Sequence, residues 1–194
     1  MVSKSTIALI ACCLPLLLLG IDIATDNLGG NPIESLHIRL GDWSLRFLCL
    51  TLAITPIQAI SKWRGMATYR QLFGLCSFAY ASLHLLVYLL VDNSLNWRLI
   101  WIDLLESPYI WFGVLCFLLV TTLAITSPKY AKKKLGKYWK KIHRLIYPAC
   151  VFALIHYFWQ LKGNLIQPIF YTALIGLLML FRVLAWLKRK RGLV

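Results

Sequence analysis

Three histidines, His84, His143 and His156, stand in stretches that are otherwise almost wholly apolar. The first lies in SFAYASLHLLVYLL, the other two in WKKIHRLIYPACVFALIHYFW. Ionisable side chains in such surroundings are costly and are functional candidates for that reason. Imidazole suits the setting. Its neutral form is a good ligand for a metal such as a haem iron, and no net charge is carried into the apolar phase. The fourth histidine, His37, falls beside Arg39 and Asp42. It is read as a solvated loop residue without a role.

The surrounding pattern is that of a membrane. Of the 194 residues, 60% are hydrophobic, and the mean hydropathy is +0.71. That exceeds the apolar share of a soluble domain. A spanning helix needs about 20 mostly apolar residues. Six segments qualify: residues 5–23, 43–60, 69–91, 108–126, 138–159 and 165–187. The expected architecture is an all-α integral membrane bundle of six transmembrane helices forming a single domain, with no nucleotide-binding domain of its own. Lys4 ahead of an apolar run suggests a signal peptide, but bulky Leu14–Ile21 offers no small-residue cleavage site, so a membrane span is expected.

Charge orients the bundle. All 7 acidic residues fall in two loops: Asp22, Asp26, Glu34 and Asp42 in one; Asp92, Asp103 and Glu106 in the other. The opposite side carries Lys62, Arg64 and Arg70, the run from Lys129 to Lys141, and Lys188 to Arg191, with no acid among them. The positive-inside rule puts the basic loops and both termini in the cytoplasm. Because the excess cation lies between apolar runs, lipid headgroups rather than nucleic acid are its expected partners. Trp43, Trp101, Trp111, Trp139, Trp159 and Trp186 fall near the expected interfaces and read as an aromatic belt. The six cysteines form no CxxC or CxxCH motif, so they are expected to be reduced, small apolar packers.

Depth links two of the histidines. His84 lies eight residues before Asp92, about 12 Å below the outer end of the third segment at 1.5 Å per residue. His156 lies six residues before Lys162, about 9 Å below the outer end of the fifth. Two imidazoles at matching depth on antiparallel helices are suited to axial ligation of a haem iron between the third and fifth segments. Gly74, Ser77 and Ala81 lead to His84, and Ala149 and Ala153 to His156. Such small residues leave room for a flat macrocycle, or serve close helix packing.

His143 has no such mate, because Arg70 and Gln71 occupy the matching end of the third segment. On a straight helix it would point about 140° away from His156, although Pro148 between them can change the winding. It is read as a ligand to a second haem, an alternative ligand, part of a flavin or quinone pocket, or an interfacial histidine. Arg46 is a candidate for a haem propionate or for the headgroups. Arg182 is expected to snorkel.

These stretches resemble a known family. LRFLCLTLAITPI (45–57), RQLFGLCSFAYASLHLLVYLL (70–90), SPYIWFGVLCFLLVTTLAITS (107–127) and LGKYWKKIHRLIYPACVFALIHYFW (135–159) are similar, in register, to the MsrQ family. These are the haem-binding membrane subunits of periplasmic methionine sulfoxide reductase systems, within the ferric-reductase-like transmembrane group. The resemblance implies haem b, one or two per chain, with His84, His143 and His156 at the haem-associated positions, and an association with FMN. It implies electrons taken from the quinone pool or a cytosolic flavin reductase. They would pass across the bacterial inner membrane to a periplasmic molybdopterin-containing methionine sulfoxide reductase, MsrP. The chain would then be the electron-transfer subunit, not the catalytic one. Where the family often has two arginines, this chain has Arg70 and Gln71, leaving Arg70 as the cytoplasmic anion contact. Two other readings stand beside it. One is a stand-alone ferric reductase or a quinol-linked cytochrome b. The other is a small transporter, against which the sequence shows no internal repeat and no broken helix pair.

Overall fold

The computed structural model describes residues 4–63, 65–160, 163 and 165–191. Arg64 and Lys162, used above for orientation and depth, lie outside the described residues. All regular elements among the described residues are helical: α1 (Lys4–Ala24), α2 (Pro32–Ser61), α3 (Met66–Leu86), α4 (Trp97–Glu106), α5 (Pro108–Ile125), α6 (Lys129–Leu135), α7 (Lys137–Ile142), α8 (Ile146–Gln160) and α9 (Ile166–Lys190). A π-helical turn, Val87–Asp92, continues α3, and a 3-10 turn, His143–Leu145, joins α7 to α8.

Five stretches are long and apolar enough to cross a membrane: Ser5–Ala24, Pro32–Ser61, Met66–Asp92, Pro108–Ile125 and Ile166–Lys190. Their outer surfaces are apolar, with Ile10, Leu17 and Leu177 each more than 60% exposed. In water such faces would be an aggregation liability; in lipid they are ordinary.

The expected fifth crossing, residues 138–159, is not one helix. It divides into α7, the 3-10 turn and the 15-residue α8. Pro148 is the cause. It has no N–H for the carbonyl of Arg144, and its ring would clash with that carbonyl in an α-helical path. The chain tightens into 3-10 geometry just before it. Gly136, at φ +49°, makes the bend between α6 and α7.

The expected second crossing, residues 43–60, begins eleven residues earlier, at Pro32. The Asn31 side chain accepts from the Glu34 backbone N–H, Pro32 takes the first helical position, and Glu34 lies in the positive first turn. The 30-residue helix is about 45 Å long, so it exceeds a hydrocarbon layer of about 30 Å and projects beyond it. Its charged outer turns read as a loop in sequence for that reason. α4, also read as loop, is started by Asn96, whose side chain accepts from Arg98 and Leu99.

α2 packs along α3 and α5 packs along α8 as the two most extensive helix pairs, and α3 lies against α5. α9 closes the bundle through a core of Leu45, Leu48 and Leu52 on α2, Cys150 on α8, and Tyr171 and Ile175 on α9. α1 joins through Cys12, Phe47, Cys76 and Tyr80, with the Tyr80 hydroxyl donating to the Cys12 carbonyl at 2.8 Å. All six cysteines are free, and Cys12, Cys49, Cys76 and Cys150 are buried packers.

Candidate functional site: a tethered imidazole pair

His84 on α3 and His156 on α8 meet with ring centroids 6.3 Å apart and planes at 86°. Both rings are tethered in the same way. His84 Nδ1 lies 3.0 Å from the His37 carbonyl oxygen, and His156 Nδ1 lies 2.8 Å from the Tyr109 carbonyl oxygen. A carbonyl oxygen can only accept. Each Nδ1 therefore carries the proton and donates it, and each Nε2 is left as a bare acceptor. This is how proteins fix the tautomer and direction of a metal-ligating imidazole.

Two glycines make the approach possible. A Cβ built on Gly113 would stand 2.9 Å from Cε1 and Nδ1 of His156, and one built on Gly41 would stand 3.4 Å from the same atoms of His84. The arrangement fits a haem iron. Two imidazoles on opposite sides of one metal, with metal–nitrogen bonds of about 2.0 Å, put their ring centroids about 6 Å apart. No group of three or more His, Cys, Asp or Glu side chains forms a metal-ion cage among the described residues. The two Nε2 atoms are what the site offers a metal.

His37 is not a loop residue. It lies on α2, with its ring 5.2 Å from that of His84 and at 85° to it, and 6.5 Å from that of Tyr88. Its side chain is 13% exposed, and Nε2 is 3.6 Å from the Asp92 carboxylate. The π-helical turn that follows α3 brings Asp92 to this position, while the Tyr88 hydroxyl donates to Asp103 at 3.1 Å and so ties α4 to the same end. Sequence reasoning missed His37, Tyr109, Gly41 and Gly113. The signal that could have found them is a repetition. His37 precedes His84 by 47 residues, and Tyr109 precedes His156 by the same 47. In each set a glycine follows the residue with the accepting carbonyl by four positions, and TLAIT recurs at 51–55 and 122–126.

Residues 40–154, which contain α3, α5 and His84, match the family described as ferric reductase like transmembrane component. The protein-methionine-sulfoxide reductase heme-binding subunit MsrQ of Rhodospirillum rubrum is 38% identical over 184 residues, covering 94% of this chain and 88% of that protein. The subunits of the same name from Herminiimonas arsenicoxydans and Xanthomonas euvesicatoria are 39% and 34% identical, covering 94% and 98% of this chain and 86% and 90% of theirs. The chain belongs to the MsrQ family. No solved structure matches it. As a member of that family, with its apolar helices, it is a multi-pass membrane protein.

In this MsrQ family member the remaining candidates are placed elsewhere. His143 stands outside the His37–His84–His156 series among the described residues. It stacks on Trp139 at 4.0 Å, and its Nε2 lies 3.2 Å from Thr126 Oγ1. The Trp139 indole N–H donates to the Thr126 carbonyl at 2.9 Å, and Lys132 lies over the indole at 4.7 Å. Trp139 is therefore part of this cluster and not only of a belt. Gln71 donates to the neighbouring Ser127 carbonyl at 3.1 Å. Arg70 lies within electrostatic range of His143.

Arg46 is engaged inside the bundle. It donates to Asp42 at 3.2 Å and to the Tyr171 hydroxyl at 3.0 Å, and lies over the Trp43 ring at 4.7 Å. Arg182 does not snorkel. It donates to the carbonyls of Leu178 and Leu52 and to Thr55 Oγ1. Of the small residues leading to the histidines, Ser77 exchanges hydrogen bonds with Ser44, at 2.9 and 3.0 Å, so part of that stripe serves close α2–α3 packing.

Proposed function

We propose that this chain is a haem b electron-transfer subunit with His84 and His156 as the axial ligands, serving a methionine sulfoxide reductase. The observation that carries the reading is the imidazole pair itself: 6.3 Å between centroids, each Nδ1 tethered to a carbonyl, each Nε2 free to ligate. The names of the relatives, heme-binding subunits of a protein-methionine-sulfoxide reductase, support it. Haem supplies a one-electron carrier whose potential is set by axial ligation, burial and nearby hydrogen bonds. The chain's own residues do the rest. The His37 and Tyr109 carbonyls hold the two ligands in the Nε2-bare tautomer, and the apolar bundle excludes water from around them.

The direction of flow follows from charge. With basic α6 and the end of α9 facing the cytoplasm, the chain is a six-span protein of the bacterial inner membrane, with α7, the 3-10 turn and α8 together forming the fifth crossing. The histidine pair then lies toward the outer face, beside Asp92 and Asp103. Electrons enter from the quinone pool or a cytosolic flavin reductase and leave to a periplasmic molybdopterin-containing reductase, MsrP, which carries out the sulfoxide chemistry. The acidic outer ends can steer that partner where its surface is basic. One haem per chain accounts for the described residues, since His143 Nε2 is engaged by Thr126. FMN is carried only by the family and is given no residue here. Arg70 and His143 mark the basic end at which a donor would arrive.

An oxidised-minus-reduced visible spectrum of purified protein tests this. About one b-type haem per chain is expected, lost in both His84→Ala and His156→Ala. An unchanged spectrum in both variants would overturn the ligand assignment. The family match also suits a stand-alone ferric reductase. That reading predicts reduction of ferric chelates with no periplasmic protein present.

A further inference from the structure

The two ligand imidazoles do not simply lie near helices α2 and α5; they reach into them. Each donates to a carbonyl near the start of a helix, His37 in the second turn of α2 and Tyr109 in the first turn of α5. A helical carbonyl already faces the residue four positions on, and keeps a second lone pair for another donor. Residues i and i+4 lie one above the other on the same face, so any side chain at i+4 stands in the path of a group approaching carbonyl i. At both places the residue at i+4 is glycine: Gly41 after His37, and Gly113 after Tyr109.

We propose that Gly41 and Gly113 are positioning residues for the haem. Each leaves open the space where a ligand imidazole edge lies, so that the carbonyl can hold Nδ1 and Nε2 can face the iron. This rests on the reading of His84 and His156 as the axial pair. The two cradles differ in tightness. At Gly113 a Cβ would meet His156 Cε1 and Nδ1 at 2.9 Å and Cγ at 3.4 Å. Carbon contacts are favourable only from about 3.5 Å, so the ring must retreat by about 0.6 Å. That stretches the 2.8 Å tether past the roughly 3.2 Å limit of a sound hydrogen bond. At Gly41 the contacts would be 3.4 Å, within ordinary packing, so a methyl group fits and only a larger side chain intrudes.

The cradles therefore predict a graded series. Gly113→Ala is expected to lose the six-coordinate low-spin spectrum. The reduced protein then binds carbon monoxide, which the parent does not, and added imidazole restores the parent spectrum. Gly41→Ala is expected to retain the parent spectrum and its indifference to carbon monoxide, and Gly41→Val to behave like Gly113→Ala. Gly176→Ala on α9, where a Cβ meets nothing within 4 Å, is the control. Alanine is the better helix former, so a general loosening of the helices does not predict this order. Gly113→Ala with the parent's haem content, low-spin spectrum and carbon monoxide response would overturn the proposal. If that variant does not accumulate, Gly41→Val decides, and a parent-like result there is equally fatal. His84→Ala separates the two levels. Haem lost in His84→Ala but unaltered in the glycine series sinks the cradles alone. Haem unaltered in His84→Ala sinks the axial pair and the cradles with it.

Discussion

Pro56 lies inside α2 and has no N–H, so the carbonyl of Leu52, four residues earlier, has no intrahelical donor. Leu52 is 1% exposed, and water does not reach it. Arg182 of α9 fills the gap. Its Nη2 donates to the Leu52 carbonyl at 2.7 Å and to Thr55 Oγ1 at 3.0 Å. A hydrogen bond from a charged donor contributes about 1.5–3 kcal/mol, and an orphaned buried acceptor costs about 1–3 kcal/mol. Arg182→Leu is therefore expected to destabilise the protein by about 2–3 kcal/mol. Pro56→Ala supplies the missing N–H from within α2. In that background Leu52 is no longer orphaned when Arg182 is removed, and Arg182→Leu should cost about 1–2 kcal/mol less. Unfolding of all four members of the cycle in detergent, followed by circular dichroism against added sodium dodecyl sulfate, measures the coupling. Typical intramembrane hydrogen bonds couple by about 0.6 kcal/mol, so the expected value stands above the ordinary background. Effects additive to within about 0.5 kcal/mol would refute the assignment of Arg182 to the carbonyl that Pro56 frees.

Three further outcomes are expected. Asn31→Ala removes the acceptor for the Glu34 N–H and should cost about 1 kcal/mol, read as faster hydrogen exchange confined to the first turn of α2. Tyr80→Phe deletes the 2.8 Å bond to the Cys12 carbonyl and should loosen α1 by about 1 kcal/mol, seen as raised exchange in residues 5–24 without loss of haem. His143→Ala should keep the parent's haem content unchanged, because its Nε2 is committed to Thr126; a fall from two haems per chain in the parent to one in the variant would show instead that His143 ligates.

The sequence was most legible where one rule acts alone. Apolar length fixes α1, α5 and α9 to within a few residues of their expected bounds. It fails where charge and helix coincide. Glu34, His37, Arg39 and Asp42 read as loop because charged residues are uncommon in spans, yet Asn31 and Pro32 start a helix that is longer than the hydrocarbon layer is thick. Arg39 is neutralised by Asp22, and Arg46 by Asp42, so the outer turns of α2 carry their charge in pairs. Depth counting brought His84 and His156 to one level, because rise per residue is nearly constant in a helix. It could not reveal their tethers. A backbone carbonyl has no letter in the sequence, and the space that admits an imidazole to it is marked only by a glycine, a residue with many other uses in membrane helices.

The same repetition bears on why one imidazole pair forms and not two. Gln71 precedes His84 by thirteen residues, as His143 precedes His156. The two helix pairs, α2 with α3 and α5 with α8, thus carry corresponding positions at both ends. At the outer end the correspondence is kept in chemistry: imidazole, carbonyl and glycine in each. At the basic end it is broken. Glutamine faces the chain where histidine stands in the other pair, and the two side chains bind adjacent residues of one turn, Ser127 and Thr126. An amide is a poor axial ligand, and the hydroxyl of Thr126 engages the His143 Nε2. The basic end therefore closes the bundle by hydrogen bonds, where the other end leaves each Nε2 without a tether. Gln71→His is the substitution that addresses this directly. If lost correspondence is all that separates the two ends, that variant should bind more than one haem per chain. If the Thr126–Ser127 turn holds the inner end shut, the content stays at about one.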